Sequence, residues 1–226
     1  MGMRSKRYRR SAEKKKPDPV PVADAVASLK KMDGAKFDET VELSLKLGID
    51  PKQSNQAVRG SFSLPHGIGK TMKVIAFAEG DAARAAKESG ALEVGGEELA
   101  KKILDGWLDF DVAVAHPGMM RHVGKLGRVL GPHGKMPSPK SGTVTDDVGR
   151  VVREFVAGKI EFRNDDTGNL HVVMGKKSFP PEKLAANITA FLDHVRTMKP
   201  PSSKGIFLQK GVLSATMSPG IPMTVS

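Results

Sequence analysis

Thirteen Lys and Arg side chains lie in two short segments, and neutralising phosphate is the chemistry that such blocks perform best. Residues 117–142 hold Arg121, Lys125, Arg128, Lys135 and Lys140 with no Asp or Glu, in a Gly- and Pro-rich run. Residues 1–16 hold eight Lys and Arg against Glu13. The two segments carry +5 and +7 while the whole chain is +11, so the other 184 residues carry −1. Charge placed in this way suits a folded protein that holds a polyanion at particular places. A merely solvated surface has scattered lysines instead.

Catalytic constellations are harder to find. Gly69-Lys70-Thr71 resembles the end of a phosphate loop, but the earlier glycine that loop requires falls at Leu64. Asn164 to Gly168 resembles part of a calcium loop, yet Arg163 stands at its first ligand and Met174 where the bidentate Glu belongs. His66, His116, His122, His133, His171 and His194 show no metal-ligand spacing, and no Gly-x-Ser-x-Gly elbow supports a nucleophile. With no cysteine, disulfides, thiolate metal sites and Cys catalysis drop out. No cofactor or metal is expected. An enzyme with a dispersed site, assembled only by the fold, is the alternative left open.

The elements that must position these residues change in texture along 226 residues. Val22 to Met32 has helical spacing and stops at Asp33-Gly34. Period two then places Val41, Leu43, Leu45 and Leu47 on one side of a strand and Thr40, Glu42, Ser44 and Lys46 on the other. A second strand, Ala57 to Leu64, ends at the breaker cluster Pro65 to Gly69.

Strand and helix then alternate. Met72–Ala78, Leu92–Val94 and Asp111–Ala115 read as strands. A helix capped by Asp81 and stopping at Gly90, another over Glu97–Leu104, a third over Gly118–Val129 and a last from Thr145-Asp146-Asp147 to Ala157 fill the gaps. That order implies a parallel three-layer α/β unit. After Gly158, Lys159–Arg163 and Asn169–Met174 flank a turn and read as a hairpin. A helix over Pro181–Met198 and a strand over Gly205–Met217 close the chain. The expected fold is therefore α/β and α+β in two domains: residues 20–67 and 159–226 as a discontinuous α+β domain, and 68–158 as an inserted α/β domain. Residues 1–19 are expected to be a basic disordered arm that contacts RNA. No apolar run approaches the ~20 residues that cross a bilayer. Lys14 to Pro19 stand where a secretion signal needs its apolar stretch, so a cytoplasmic protein is expected, with a transit peptide as the alternative.

The run Gly124 to Thr145, GKLGRVLGPHGKMPSPKSGTVT, resembles the signature of the ribosomal protein L-one family, found in the mobile side stalk of the large ribosomal subunit. Four further segments agree in order: Lys36 to Glu42, Gly158 to Arg163, Gly168-x-x-His171-x-x-x-Gly175-Lys176, and Ser214 to Met217 before Pro219-Gly220-Ile221. The likeness runs from about residue 20 to the end. It implies a discontinuous α+β domain with the main RNA surface and an inserted Rossmann-like domain. It also implies a non-enzymatic constituent of the ribosome that binds stalk ribosomal RNA, takes part in release of exit-site tRNA, and represses its own operon by binding its mRNA. No obligate homo-oligomer is implied.

Carried to the matching positions, the resemblance gives Lys36, Phe37, Thr40, Glu42, Asp165, Gly168, His171, Ser214, Thr216, Met217 and Ser218 as rRNA- and mRNA-binding candidates. Lys36 can meet a phosphate, and Phe37 can either stack on RNA or anchor the strand in the core. Thr40 and Glu42 can bond a ribose 2′-OH or a guanine edge. Ser214, Thr216 and Met217 offer hydroxyls and a soft apolar group before a Pro-Gly turn. Turn geometry alone accounts equally well for Asp165, Gly168 and His171. Arg121, Lys125, Arg128, His133, Lys135 and Lys140 are expected to make a secondary basic contact with RNA or tRNA, with turn building as the other reading. The family usually has Gly at Ser218, a basic residue at Asp166, Arg at His133 and an apolar residue at Lys135, so Lys135 restores the charge that His133 gives up. An RNA- or nucleotide-acting enzyme that uses the α/β insert as its catalytic domain and a generic basic RNA chaperone are the competing classes.

Overall fold

A computed structural model describes residues 5–15, 17–53 and 55–225. Chain order begins with helices α1 (Lys6–Glu13) and α2 (Val22–Lys30) and strands β1 (Thr40–Leu47) and β2 (Arg59–Ser63). The middle runs β3 (Val74–Phe77), α3 (Gly80–Glu88), β4 (Glu93–Gly95), α4 (Glu97–Leu104), β5 (Val112–Ala115), α5 (Met120–Gly124), α6 (Gly127–Leu130) and α7 (Val148–Val156). The chain ends with β6 (Lys159–Arg163), β7 (Asn169–Lys176), α8 (Pro181–Thr197), β8 (Leu208–Ala215) and β9 (Ile221–Met223). The fold is mixed α/β and divides into two compact units, residues 1–69 with 162–226, and residues 70–161.

In the first unit β1 is one of the two interior strands of a sheet ordered β7-β1-β8-β9, antiparallel throughout. Its alternation dictates this: Val41, Leu43, Leu45 and Leu47 are fully buried, on the side that α2 and α8 cover. Phe162 packs edge-on against Phe191 with ring centroids 5.2 Å apart, and Phe62 stacks on His194 at 4.6 Å. Burial there lowers the His194 pKa below its ordinary value. The expected hairpin does not form. Strand β6 pairs with β2 and β7 pairs with β1, and the turn between β6 and β7 keeps only the single bridge Asn164–Leu170.

The second unit is a parallel sheet ordered β4-β3-β5 between two helical layers. Ile75, Phe77, Ala113 and Ala115 pack on Leu99, Ile103, Val123, Leu126 and Leu130. Their neighbours Val74, Ala76 and Val114 point the other way, onto Ala86, Val151, Val152 and Phe155. Truncating a side chain as buried as Phe155 would cost about 3–5 kcal/mol.

Three further expectations are corrected. Lys6–Glu13 is a helix, not part of a disordered arm: Ser5 caps it by accepting from Tyr8 N–H, Ser11 is buried, and Arg10 and Lys14 lie 4.0 and 3.8 Å from Asp33 carboxylate oxygens. Asp81 lies inside the first turn of α3, whose cap position is Glu79. The helix expected over 118–129 is broken into a 3₁₀ turn at 117–119, α5 and α6. Gly124 and Gly127 weaken helical propensity, while Met119, Val123, Leu126 and Leu130 still seat the interrupted helix by burial at helical spacing. Strand β9 is an addition to the expected elements; Pro222 within it hides the period-two signal.

Candidate nucleic-acid interface

Because the apolar side of β1 must face the core, its polar side faces solvent, and the ladder brings partners alongside it. Thr40 lies beside Lys176, Glu42 between Val173 and Ser214, Ser44 between His171 and Val212, and Lys46 between Asn169 and Lys210. A bulge between Val41 and Glu42 skips Met174 on β7, where Gly175 takes a φ of +146° and turns Lys176 towards Thr40.

The hydroxyls at one end are fixed by the backbone. Thr40 N–H donates to Thr216 Oγ1 (3.0 Å), Thr216 N–H donates to the Thr40 carbonyl (3.0 Å), and Lys176 Nζ donates to Thr40 Oγ1 (2.8 Å). Ser44 Oγ and His171 Nδ1 share a hydrogen bond of 3.0 Å. Glu42 is exposed and has no ion-pair or hydrogen-bond partner among the described residues. A shallow groove of about 490 Å³ follows, lined by Ser44, Lys46, Asn169, His171, Gln209 and Lys210. Donors and cations on a rigid platform, interrupted by one free acceptor, can hold phosphates and ribose hydroxyls while rewarding a donor at one point.

Phe37 and Met217 are 55% and 49% exposed, so Phe37 stands in a loop before β1 and does not anchor the core. Lys36 beside it is exposed. Of the sequence candidates, Thr40, Glu42, His171 and Ser214 share the polar face of the sheet, with Thr216 and Met217 following directly after β8. Asp165, Gly168 and Ser218 instead build turns. Asp165 accepts from Asn169 N–H (2.7 Å), Thr167 N–H (2.9 Å), Thr167 Oγ1 (2.8 Å) and Asn169 Nδ2 (3.0 Å). The Asn169 N–H foremost, with these other donors and against desolvation, holds its carboxyl well below the usual carboxylate range. Gly168 is buried at a φ of +79° and its carbonyl accepts from Leu47 N–H (2.9 Å). Ser218 Oγ accepts from Ala215 N–H at 2.9 Å. Ser44, Lys46, Asn169, Lys176 and Lys210 belong to the face as well, in addition to the sequence candidates. The alternation that picks out Thr40 and Glu42 runs on to Ser44 and Lys46, whereas the neighbours from β7 and β8 emerge only with the register.

In the second unit Arg121, Lys125, Arg128, His133 and Lys140 are exposed. Lys135 departs from the expected role. Its ammonium donates to the carbonyls of Leu108 (3.0 Å) and Phe110 (2.5 Å) and lies 4.9 Å from the Phe110 ring centre. The rest of the signature run makes structure. Ser138 N–H donates to Thr143 Oγ1 (2.8 Å), Ser141 and Thr143 are buried, Gly142 takes a φ of +67°, and Val144 forms a parallel bridge with Ala115. Among the described residues no group of His, Cys, Asp or Glu could hold a metal ion, and no helix is long and apolar enough to cross a membrane.

A sequence model of the family described as ribosomal protein L1p/L10e matches residues 29–219. The chain belongs to that family. Among curated L1p/L10e-like relatives, the large ribosomal subunit protein uL1 of Rhodopirellula baltica is 57% identical over 221 residues, 98% of this chain and 98% of its own. The protein of that name from a strain of Thermus thermophilus is 53% identical over 223 residues, 98% of this chain and 97% of its own. That of Kosmotoga olearia is 50% identical over 226 residues, covering 99% and 97%. The L1p/L10e family consists of structural ribosomal proteins and not enzymes, so the enzymatic alternative falls away.

Proposed function

We propose that this chain is a structural constituent of the large ribosomal subunit that binds the ribosomal RNA of the side stalk directly, in the cytoplasmic ribosome. In this reading the two compact units are its two domains. The first, with the polar face of β7-β1-β8, is the RNA-binding domain, and the second is an inserted Rossmann-like domain. The observation that carries the reading is that face. It presents Thr40, Glu42, Ser44, His171 and Ser214 in one register-fixed array, with Phe37 and Met217 exposed in the same unit. Such a surface suits shaped RNA with accessible 2′-hydroxyls better than a uniform duplex.

Lys36, Phe37, Thr40, Glu42, His171, Ser214, Thr216 and Met217 make the contacts, and Asp165, Gly168 and Ser218 hold the turns beneath them. Arg121, Lys125, Arg128, His133 and Lys140 give a secondary contact for exit-site tRNA, through which the protein takes part in tRNA release. The same sheet face binds the protein's own-operon mRNA and so represses translation. A filter-binding titration against the stalk stem-loop and a duplex of equal length, at near-physiological salt, tests the core of this. A preference of about a thousandfold for the stem-loop is expected. Equal affinities that collapse together as salt rises would mean that only charge is read.

A further inference from the structure

The loop that carries Lys36 and Phe37, residues 31–39, has no regular structure of its own, yet it is tied down at several points by the segment after β7. Glu39 is 1% exposed. Its Oε1 accepts from Ala35 N–H at 2.6 Å, closing the loop on itself, and its carbonyl accepts from Lys177 N–H at 2.8 Å. Its Oε2 has no hydrogen bond and faces Lys177 Nζ at 3.7 Å. The same ammonium donates to the Met32 carbonyl at 3.0 Å, at the other end of the loop. Asp38 accepts from Ser178 N–H (3.0 Å) and Ser178 Oγ (2.7 Å), and Lys30 Nζ donates to the carbonyls of Lys177 and Phe179.

A buried carboxylate with an oxygen that lacks a hydrogen bond is an expensive way to stabilise a turn, since apolar residues of the same shape often do as well. What the arrangement gives is geometry. It joins both ends of the loop to one short segment and leaves Phe37, between them, 55% exposed. We infer that Glu39 and Lys177, helped by Asp38, are positioning residues that clasp the 31–39 loop so that Phe37 and Lys36 are presented to RNA in a preformed conformation. This rests on the RNA-binding reading above. Preforming matters because affinity falls in proportion to the fraction of molecules whose loop is in the binding conformation.

The sign of the effect separates this inference from electrostatics. Glu39→Gln and Asp38→Ala each remove a negative charge, which on charge alone should strengthen RNA binding. Loss of the clasp should weaken it. The experiment is a double-mutant cycle on the full chain, titrating the stalk stem-loop against wild type, Phe37→Ala, Glu39→Gln, Asp38→Ala and the doubles Phe37→Ala/Glu39→Gln and Phe37→Ala/Asp38→Ala, with the melting temperature of each. Phe37→Ala and Glu39→Gln are each expected to lose roughly tenfold in affinity and Asp38→Ala about threefold, with neither double much weaker than Phe37→Ala alone. Asp38 is exposed, so its variant folds even if Glu39→Gln does not. Unchanged or tighter binding by Glu39→Gln and Asp38→Ala, or losses that multiply with Phe37→Ala, would overturn the clasp. So would a loss in the Glu39 and Asp38 variants when Phe37→Ala binds normally. A wild-type protein with no preference for the stem-loop would instead show that the RNA-binding reading itself had failed.

Discussion

The sheet face of the first unit and the basic run of the second are both candidates for RNA, but they are built in opposite ways. Thr40, Glu42, Ser44 and Lys46 are held by hydrogen-bonded neighbours on both sides, with few cations and one free carboxylate. Arg121, Lys125 and Arg128 sit on an interrupted helix beside a loop whose buried hydroxyls and glycines are engaged in their own turn. The first arrangement fixes donors and acceptors in space and can discriminate. The second offers charge with little geometry, which attracts any phosphate backbone. The most conspicuous charge in the sequence is thus not the most ordered array of donors and acceptors in the molecule.

The strongest way to break this contrast is to truncate the face. Thr216→Ala and Met217→Ala are each expected to lower stem-loop affinity tenfold or more, measured by filter binding, while a basic-run variant such as Lys140→Ala loses far less. Equal losses would erase the distinction. Next in size is a stability effect that separates residues that build the face from those proposed to touch RNA. Asp165→Ala should lower the melting temperature by about 5 °C near neutral pH, because one carboxylate accepts four hydrogen bonds. Because the folded carboxyl is held below its unfolded value, its contribution is complete above the unfolded pKa of about 3.9. The gap between wild type and variant should therefore close as the pH falls below about 4.

A smaller effect is expected from charge. Arg121→Ala/Lys125→Ala/Arg128→Ala should make the salt dependence shallower, by roughly 0.7–0.9 in log–log slope for each phosphate that is no longer neutralised. It should not alter the preference for stem-loop over duplex, and a changed preference would mean that these cations read shape as well. Smallest of all, Lys135→Met should leave both slope and affinity unchanged, because that ammonium is spent on the Leu108 and Phe110 carbonyls. A shallower slope in Lys135→Met would return it to the RNA-facing surface.

What is legible in the sequence follows from how local each cause is. Strand β1 is readable because its alternation is a local record of one buried side, and helix α7 because Asp147 accepts from Arg150 N–H as a side-chain cap. The partners of β1 are not readable. Nothing within residues 40–47 says that His171 will stand beside Ser44, since that neighbour is set by a register across the chain. Lys135 misleads for the same reason, its acceptors being 25 and 27 residues away. Phe37 is ambiguous because a lone aromatic at the start of a strand looks alike whether it faces in or out, and burial decides it.

The position of β1 between β7 and β8 also has a consequence for synthesis. Its cross-strand neighbours Leu170 and Gly211 are translated long after Leu45, while residues 70–161 contain a complete parallel sheet with both helical layers. At elongation rates of about 5–20 residues per second, the two edges of β1 wait on the order of ten seconds for the strands that pair with them. The second unit can fold in that interval. A nascent chain released before Leu208 would therefore leave one edge of β1 unpaired, the kind of species that chaperones retain.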